Sequence, residues 1–560
     1  MKNEPRNHSG ALRQIGGNMK FLMFYVNDTS NTKVPTGILY LLTILKQRGH
    51  SVSVFDNSIY GQEKDKNDHD IRGSFLNFQL LDLRPYGVTY NRVTQDYVDT
   101  EVARHLQNFD PDIIGISITE DTSNSGLYFA SLCKRILPNV PVIVGGVYCM
   151  TRPDQVISHE SVDMVCVGEG EIALPTLVDR IAKGESIDDI QNLWIKKSDG
   201  SIIKNPVGSL IDLNLLPYPD LSLVDDRHLF APFAGHVYKM TYIESQRGCP
   251  RRCTYCCNQV FLNTYKDHIK NYLRRKNVGR LIDEIVYLKN EYGLNFIQFT
   301  DDDFLLRPVE ELVEFTKLYK ERVNLPFWIQ AEAWHATDEK VGLVREAGCV
   351  SISMGVETGS EYILTKIMKR KTPREKTIEA FRIMHKHGIR TSANVIIGVP
   401  EETRETIFQT IELIRECEPK SVNSAIFIPY YGLELREYAV QKGYLDDNYH
   451  RDLKDSWRAV LTMPQISNDE LENLARTFVL YASLPKEDWS DIEKIEKKPD
   501  ENVELKKILE NKFWNIMLER GINLDIPGFD YDGFLKERRT ELSMRKPRNS
   551  YQDAGHVGTA

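Results

Sequence analysis

The chain has 560 residues, of which 41% are hydrophobic, 27% charged and 10% aromatic, with a formal net charge of −9. That length accommodates roughly two to four domains with substantial cores. The acidic balance gives no case for nucleic acid or an anionic membrane as a partner, and no apolar run approaches the ~18 residues of a membrane span.

The first eighteen residues are polar, carry both charge signs and lack the apolar core of a secretory signal. Residues 20–26 then read as a buried strand. A loop over 27–34 leads to Pro35-Thr36-Gly37 and an amphipathic helix over 38–45, which ends where Gly49 supplies a C-cap. Residues 51–56 are a second strand, and 57–95 are less regular and read as an insertion over one edge. The alternation resumes with a strand over 112–119, a helix over 126–137 and a strand over 140–146. Residues 164–171 are a short strand running into a helix. Strands alternating with helices predict a doubly wound parallel sheet over residues 19–190, with ligands beyond the carboxyl ends of its strands. Gly145-Gly146 and Gly168-Glu169-Gly170 at those ends would let a large ligand approach the backbone, although turns use glycine as well. Residues 191–237 read as a linker with a hairpin through Asp199-Gly200 and a stiff segment over 215–220.

Residues 238–244 read as the first strand of a (β/α) repeat. Gly248-Cys249-Pro250-Arg251-Arg252-Cys253-Thr254-Tyr255-Cys256-Cys257 leaves its carboxyl end, where barrels place their chemistry. Cys249, Cys253 and Cys256 follow a C-x3-C-x2-C spacing. Three thiolates so close on a short loop can hold three irons of a cubane cluster, leaving the fourth free for a substrate or cofactor. Structural zinc normally takes paired C-x2-C or His ligands and four protein groups, and no matching pair lies elsewhere. Cys257 falls outside the spacing. Nine cysteines, three of them clustered, suit a reducing cytoplasm better than a disulfide scaffold.

Five further repeats follow, with strands over 295–300, 327–332, 351–357, 391–397 and 424–429 between helices. Six repeats over 238–440 make a partial barrel, open on one side to a large substrate. Polar residues recur where its strands end. Asp301-Asp302-Asp303 follows the second strand, and Glu357 closes the fourth, facing the mouth, where it can accept hydrogen bonds from a diol or an ammonium. Gly398-Val399-Pro400 follows the fifth, and Arg370 can grip a carboxylate bidentately. Structural roles stay open: a cap or ion pair for Glu357, a solvated loop or N-cap for Asp301-Asp302, a solvated surface for Arg370. Residues 441–560 read as a helical region, with a capping box at Ser467-Asn468-Asp469-Glu470 and a basic, mobile tail after Leu535.

Cys249, Cys253, Tyr255 and Cys256 resemble the signature of the radical S-adenosylmethionine (SAM) superfamily. Pro35-Thr36-Gly37, Gly145-Gly146 and Val167-Gly168-Glu169-Gly170-Glu171 resemble the cobalamin-binding domain that precedes many of its barrels. The D-x-H-x-x-G pattern whose His ligates cobalt in other cobalamin proteins is absent, as it generally is in the resembling family. The resemblance implies a [4Fe–4S] cluster on the three cysteines, whose open iron takes the amino and carboxylate groups of SAM. It implies SAM contacts at Tyr255, Asp301, Asp302, Glu357, Arg370, Gly398 and Pro400. Asp301-Asp302 matches the family's Gly-Gly-Glu by position and chemistry only. Cobalamin contacts are implied at Pro35, Thr36, Gly37, Thr119, Gly145, Gly146, Gly168, Glu169 and Gly170.

The implied activity is reductive cleavage of SAM to methionine and a 5′-deoxyadenosyl radical, which takes hydrogen from an unactivated carbon. Methylcobalamin then methylates that carbon in one closed, water-poor space. The expected partners are a small-molecule or lipid-like substrate and an electron donor such as flavodoxin or ferredoxin. Radical cyclisation or carbon–carbon coupling without methyl transfer is an alternative, and a non-catalytic iron–sulfur or cobalamin sensor is another. Methylthiolation asks for a second cluster on three more cysteines, and of Cys133, Cys149 and Cys166 the first falls within an expected helix.

Overall fold

The computed structural model describes residues 17–27, 33–62, 76, 81–89, 91–451 and 457–544. The amino-terminal polar stretch up to residue 16, most of the 27–34 loop, much of the expected insertion and residues 545–560 of the expected tail lie outside the described residues. Residues 536–544, expected as the start of a mobile tail, instead belong to the helix Tyr531–Met544, whose Arg538 is buried. The chain divides into two compact units. The first takes residues 1–65, 90–226 and 260–272; the second takes 66–89, 227–259 and 273–560.

The first unit is built on one sheet. Its strands are β1 (Lys20–Tyr25), β2 (Ser51–Asp56), β3 (Ile113–Ser117), β4 (Val142–Gly145), β5 (Met164–Cys166), β6 (Leu193–Lys196) and β7 (Ile202–Lys204), in the order β2-β1-β3-β4-β5-β6-β7. The first five are parallel. The near-continuous apolar runs of β1, β3, β4 and β5 follow from burial on both faces, whereas β2 at the sheet edge alternates Ser with Val and is mostly only partly buried. On one face Phe21 and Met23 pack with Ile38, Leu42 and Leu45 of the helix Thr36–Gln47 and with Leu174 and Leu177 of the helix Gly170–Lys183. Strand order reverses between β1 and β3, which is the switch point where such sheets bind ligands.

Residues 191–237, expected as a linker, are more than a connector. The hairpin through Asp199-Gly200 forms β6 and β7, which extend the sheet in the antiparallel sense from β5. The reason is physical: β5 would otherwise end the sheet with unpaired backbone groups.

The second unit carries β8 (Phe230–Phe233), β9 (His236–Ile243), β10 (Phe296–Phe299), β11 (Phe327–Ala331), β12 (Cys349–Glu357), β13 (Arg390–Ile397) and β14 (Ser421–Ile426), paired in sequence order. β9 to β14 are all parallel and helices connect them; β8 adds an antiparallel edge. Among the described residues β14 does not pair back onto β8, so the barrel stays a half-barrel. Phe299, Phe304, Phe315, Tyr319 and Phe327 pack ring against ring in its core. β14 occupies 421–426 rather than the expected 424–429, because Ser421, Asn423 and Ala425 alternate with buried Val422, Ser424 and Ile426 and mask its apolar signal.

The carboxyl-terminal region is helical, with Asn468–Ser483, Trp489–Lys497, Val503–Glu519 and Tyr531–Met544. The hydroxyl of Ser467 accepts the Glu470 N–H at 3.2 Å, as a helix N-cap should. Among the described residues no helix is long and apolar enough to cross a membrane.

Candidate active site

The cysteine loop leaves β9 at the carboxyl end of the half-barrel. Asp301, only 1% exposed, pins its base. Oδ1 accepts the N–H groups of Ser245 (2.7 Å) and Gln246 (2.9 Å), and the Ser245 hydroxyl donates to Oδ2. Burial raises this carboxyl to about 6, against the pull of Arg307 and those donors. The sequence expectation of Asp301 as a SAM contact therefore meets a group already spent on the backbone, because two N–H groups at a strand end need an acceptor. Asp302 is exposed by area, yet surrounding protein strips water from it and raises its pKa, and Asn258 bonds to it. Its charge is felt at Cys249, Cys256 and Cys257, which places it beside the thiols.

Cys249 and Cys256 are half-buried and Cys253 is buried. Burial pushes the Cys249 thiol up to about 12 and also raises Cys253, where Arg370 and Tyr255 act in the opposite sense. A hydrogen bond with exposed Cys257, and then burial, raises Cys256. Such thiols ionise when a metal supplies the positive charge. The three are close enough to act on one another electrostatically. Three thiols on one short loop fit a cubane, where each cysteine holds a different iron.

Tyr255, Glu357 and Arg370 meet in one buried network. Arg370 Nη1 donates to the Tyr255 hydroxyl (3.1 Å) and to Glu357 Oε1 (3.2 Å), and Nη2 donates to the Gly355 carbonyl (2.8 Å). Burial raises the Glu357 carboxyl, with Arg370 and the Tyr255 hydroxyl opposing it. Burial works against the Arg370 charge, but Tyr255, Glu357 and Glu332 outweigh it and hold the guanidinium charged. Glu357 takes φ +68 where β12 bulges against β13, which turns its side chain out of the strand's alternation.

Sequence reasoning missed the neighbours of this network. Glu332, one residue beyond β11, accepts from Arg251 of the cysteine loop at 3.1 and 2.6 Å, and Asp303 Oδ2 pairs with His335 Nδ1 at 2.5 Å. Both acids stood at expected strand ends, but their partners come from loops distant in the chain. Asp303, Glu332 and His335 offer ligand atoms within 4.8 Å of one another. A cation there would have to displace the Arg251 guanidinium, so the group reads as an ion-pair cluster. Besides Gln246 Oε1 and Arg307 Nε, which also lack hydrogen-bond partners, two buried polar atoms are unmatched here, Arg370 Nε and Asp303 Oδ1. One is a donor and the other an acceptor, and leaving either unmatched costs about 1–3 kcal/mol. A ligand bearing both a carboxylate and an ammonium, as SAM does, fits that pair.

Gly398-Val399-Pro400 lies at the end of β13, but Glu402 Oε2 takes the Gly398 N–H at 2.5 Å and also bonds the Val399 N–H. Leu471 of the helix Asn468–Ser483 packs on Gly398, where a Cβ would sit 2.5 Å from Leu471 Cδ2. Gly398 and Pro400 are thus buried.

In the first unit the residues expected at cobalamin divide into two groups. Pro35, Thr36 and Gly37 start the helix after β1, and Thr119 is exposed after β3, so these four flank the switch point. Nothing lies within 4 Å of a Cβ placed on Gly37. The helix N-terminus there presents N–H groups suited to an anionic or carbonyl-rich ligand. The other glycines answer to packing. A Cβ on Gly146 (φ +103) would lie 2.2 Å from the Ile118 carbonyl, and one on Gly168 (φ +114) would lie 2.6 Å from the Tyr265 hydroxyl. That hydroxyl accepts the Glu169 N–H at 2.6 Å. A Cβ on Gly145 would meet Cys166 at an ordinary 3.7 Å, and one on Gly170 would press on Leu41 Cδ2 at 3.2 Å.

Residues 243–414 match the family model of the radical SAM superfamily, and residues 81–178 match that of the B12 binding domain. An uncharacterised methyltransferase of Pyrococcus horikoshii is 28% identical over 405 residues, 70% of this chain and 83% of that protein. An anaerobic magnesium-protoporphyrin IX monomethyl ester cyclase of Rubrivivax gelatinosus is 24% identical over 347 residues, 60% of each chain. The solved structure of the cobalamin-dependent S-adenosylmethionine radical enzyme OxsB, with aqua-cobalamin and SAM bound, shares the fold. Its TM-score is 0.61 at 16% identity, over 95% of this chain and 84% of that one. The chain thus joins, in sequence order, a B12-binding-type domain to a radical SAM domain, and it is similar in sequence and fold to cobalamin-dependent radical SAM proteins.

Proposed function

We propose that the chain holds a [4Fe–4S] cluster on Cys249, Cys253 and Cys256 and cobalamin at the β1–β3 switch point. With these it methylates an unactivated carbon of a small biosynthetic intermediate. Bound together, these groups supply a one-electron cleavage of SAM and a transferable methyl group. The protein's own residues bind and orient. Arg370 Nε offers a donor to the SAM carboxylate, and Asp302 and the free Asp303 oxygen offer acceptors to its ammonium. Tyr255 and Glu357 hold Arg370 in place, and their burial keeps water from the reacting end. The observation that carries this reading is the meeting of three thiols of one loop with the Tyr255–Glu357–Arg370 network at one end of a parallel half-barrel. A small-molecule substrate and an electron donor of the flavodoxin or ferredoxin type belong to the same proposal. So does a reducing cytoplasmic location.

A second reading keeps the radical chemistry and ends in ring closure or carbon–carbon coupling. It is favoured by the similarity to the Rubrivivax cyclase. Anaerobic purification with iron, sulfide and cobalamin analysis separates the two. Methylation predicts about four irons and four sulfides per chain, bound cobalamin, 5′-deoxyadenosine formed from SAM, and label passing from methyl-labelled SAM into product. SAM cleavage without label transfer selects the second reading. Iron without sulfide, or iron retained after Cys253→Ala, sinks both.

A further inference from the structure

Thr254 stands between the second cysteine and Tyr255 and has no part in the roles above. It is 2% exposed. Its N–H donates to the Met368 carbonyl at 3.1 Å, its hydroxyl donates to the Ile367 carbonyl at 2.7 Å, and its carbonyl accepts the Leu435 N–H at 3.1 Å. Ile367 ends the helical turn Ile363–Ile367, and Met368 follows it. The chain then passes through Lys369, a non-glycine residue at φ +52, straight into Arg370. A left-handed lysine persists where its surroundings over-determine it. Two of those fixings are the bonds from Thr254, and a third is the Arg370–Tyr255 bond one residue further along the same loop.

The loop bearing Cys253 and Cys256 is therefore fastened directly to the turn bearing Arg370. An anchored loop and turn move as one piece, whereas a loop held only through its ends would move independently. We propose that Thr254 is a positioning residue that couples SAM engagement at Arg370 to the geometry of the cluster cysteines. This rests on the reading of the site as a SAM and cluster centre.

The test uses the full chain, reconstituted anaerobically with iron and sulfide, and SAM itself as the probe. SAM is titrated against the reduced cluster by electron paramagnetic resonance. The variants are Thr254→Val, which keeps shape and loses the hydroxyl, and Thr254→Ser, which keeps the hydroxyl. Thr254→Val leaves the buried Ile367 carbonyl without its donor. Its SAM midpoint is expected to rise about tenfold, the equivalent of one lost buried hydrogen bond. Its SAM-induced spectral change should shrink while iron content and melting temperature stay near wild type, and Thr254→Ser should titrate as wild type. Loss of iron in Thr254→Val overturns the coupling, because the residue would then serve assembly of the cluster loop and not SAM engagement. A Thr254→Val protein that titrates as wild type overturns it, as does a Thr254→Ser protein equally impaired. A wild-type chain that takes up no cluster, or whose spectrum ignores SAM, overturns the underlying reading instead, which distinguishes the two failures.

Discussion

Glu402 is fully buried, with one oxygen on the Gly398 N–H and the other without a partner. Burial raises its carboxyl to about 8 in the fold, and the N–H groups of Gly398 and Val399 only partly oppose that. Its ordinary value is about 4.3 when unfolded. A folded value above the unfolded one means stability that is complete at acid pH and lost as pH rises toward 8. Each unit of difference is about 1.4 kcal/mol, so the loss between pH 5 and 8 is on the order of a few kcal/mol. Glu402→Gln mimics the neutral acid and keeps an acceptor for the turn. Urea unfolding from pH 5 to 8 should show wild-type stability falling and the variant's profile flatter; parallel profiles would refute the assignment. Asp301 gives the contrasting case. Asp301→Ala strands two buried backbone N–H groups and should cost roughly 2–4 kcal/mol with a parallel fall in iron uptake. Asp301→Asn should cost less, because its carbonyl still accepts. Equal losses in thermal melts of the two variants would count against the backbone role.

At the scale of elements, the end of β12 concentrates the chemistry. Gly355 lets Glu357 fold back to Arg370: a Cβ there would lie 2.3 Å from Glu357 Oε1. Gly355→Ala should push Glu357 off the guanidinium and weaken SAM binding about tenfold or more, since a buried ion pair loses strongly when one partner is displaced. Isothermal titration of the reconstituted protein checks this, and unchanged affinity would show that the bulge does not set the site. Most strands were legible, because a buried strand carries a run of apolar residues bounded by turn signals; β14 was displaced because polar residues interrupt its run. The cysteine spacing and Glu357 were legible for a related reason: they are local patterns at strand ends. The ion pairs Arg251–Glu332 and Asp303–His335 were not, since nothing local tells which loop brings a partner. Gly146 and Gly168 show how a glycine pattern can also answer to packing. Their pattern suggested a ligand, yet a carbonyl and a tyrosine fill the space beside them.

At the scale of the whole molecule, the chain returns to its first unit after it has entered the second. Residues 260–272 begin four residues past Cys256 and pack within the first unit, where Leu262, Tyr265 and Tyr272 cluster with Met150, Val207, Leu210 and Phe261. The Tyr265 hydroxyl also satisfies the Glu169 N–H at the turn after β5. Alternation of strands and helices pauses near residue 190, which is why a boundary is expected there, but a core need not be contiguous in the chain. A chain ending at residue 226 would expose the face that these residues cover. Each large side chain removed from burial forfeits roughly 1.5–3 kcal/mol, and the Glu169 N–H loses its acceptor. Such a fragment should melt well below the first transition of the full chain and bind a hydrophobic dye. Joining residues 258–272 to it by a flexible linker should restore much of the loss, less so with Tyr265→Phe. If the short fragment melts like the extended one, the returning segment contributes nothing to that core, and the first unit is complete without it.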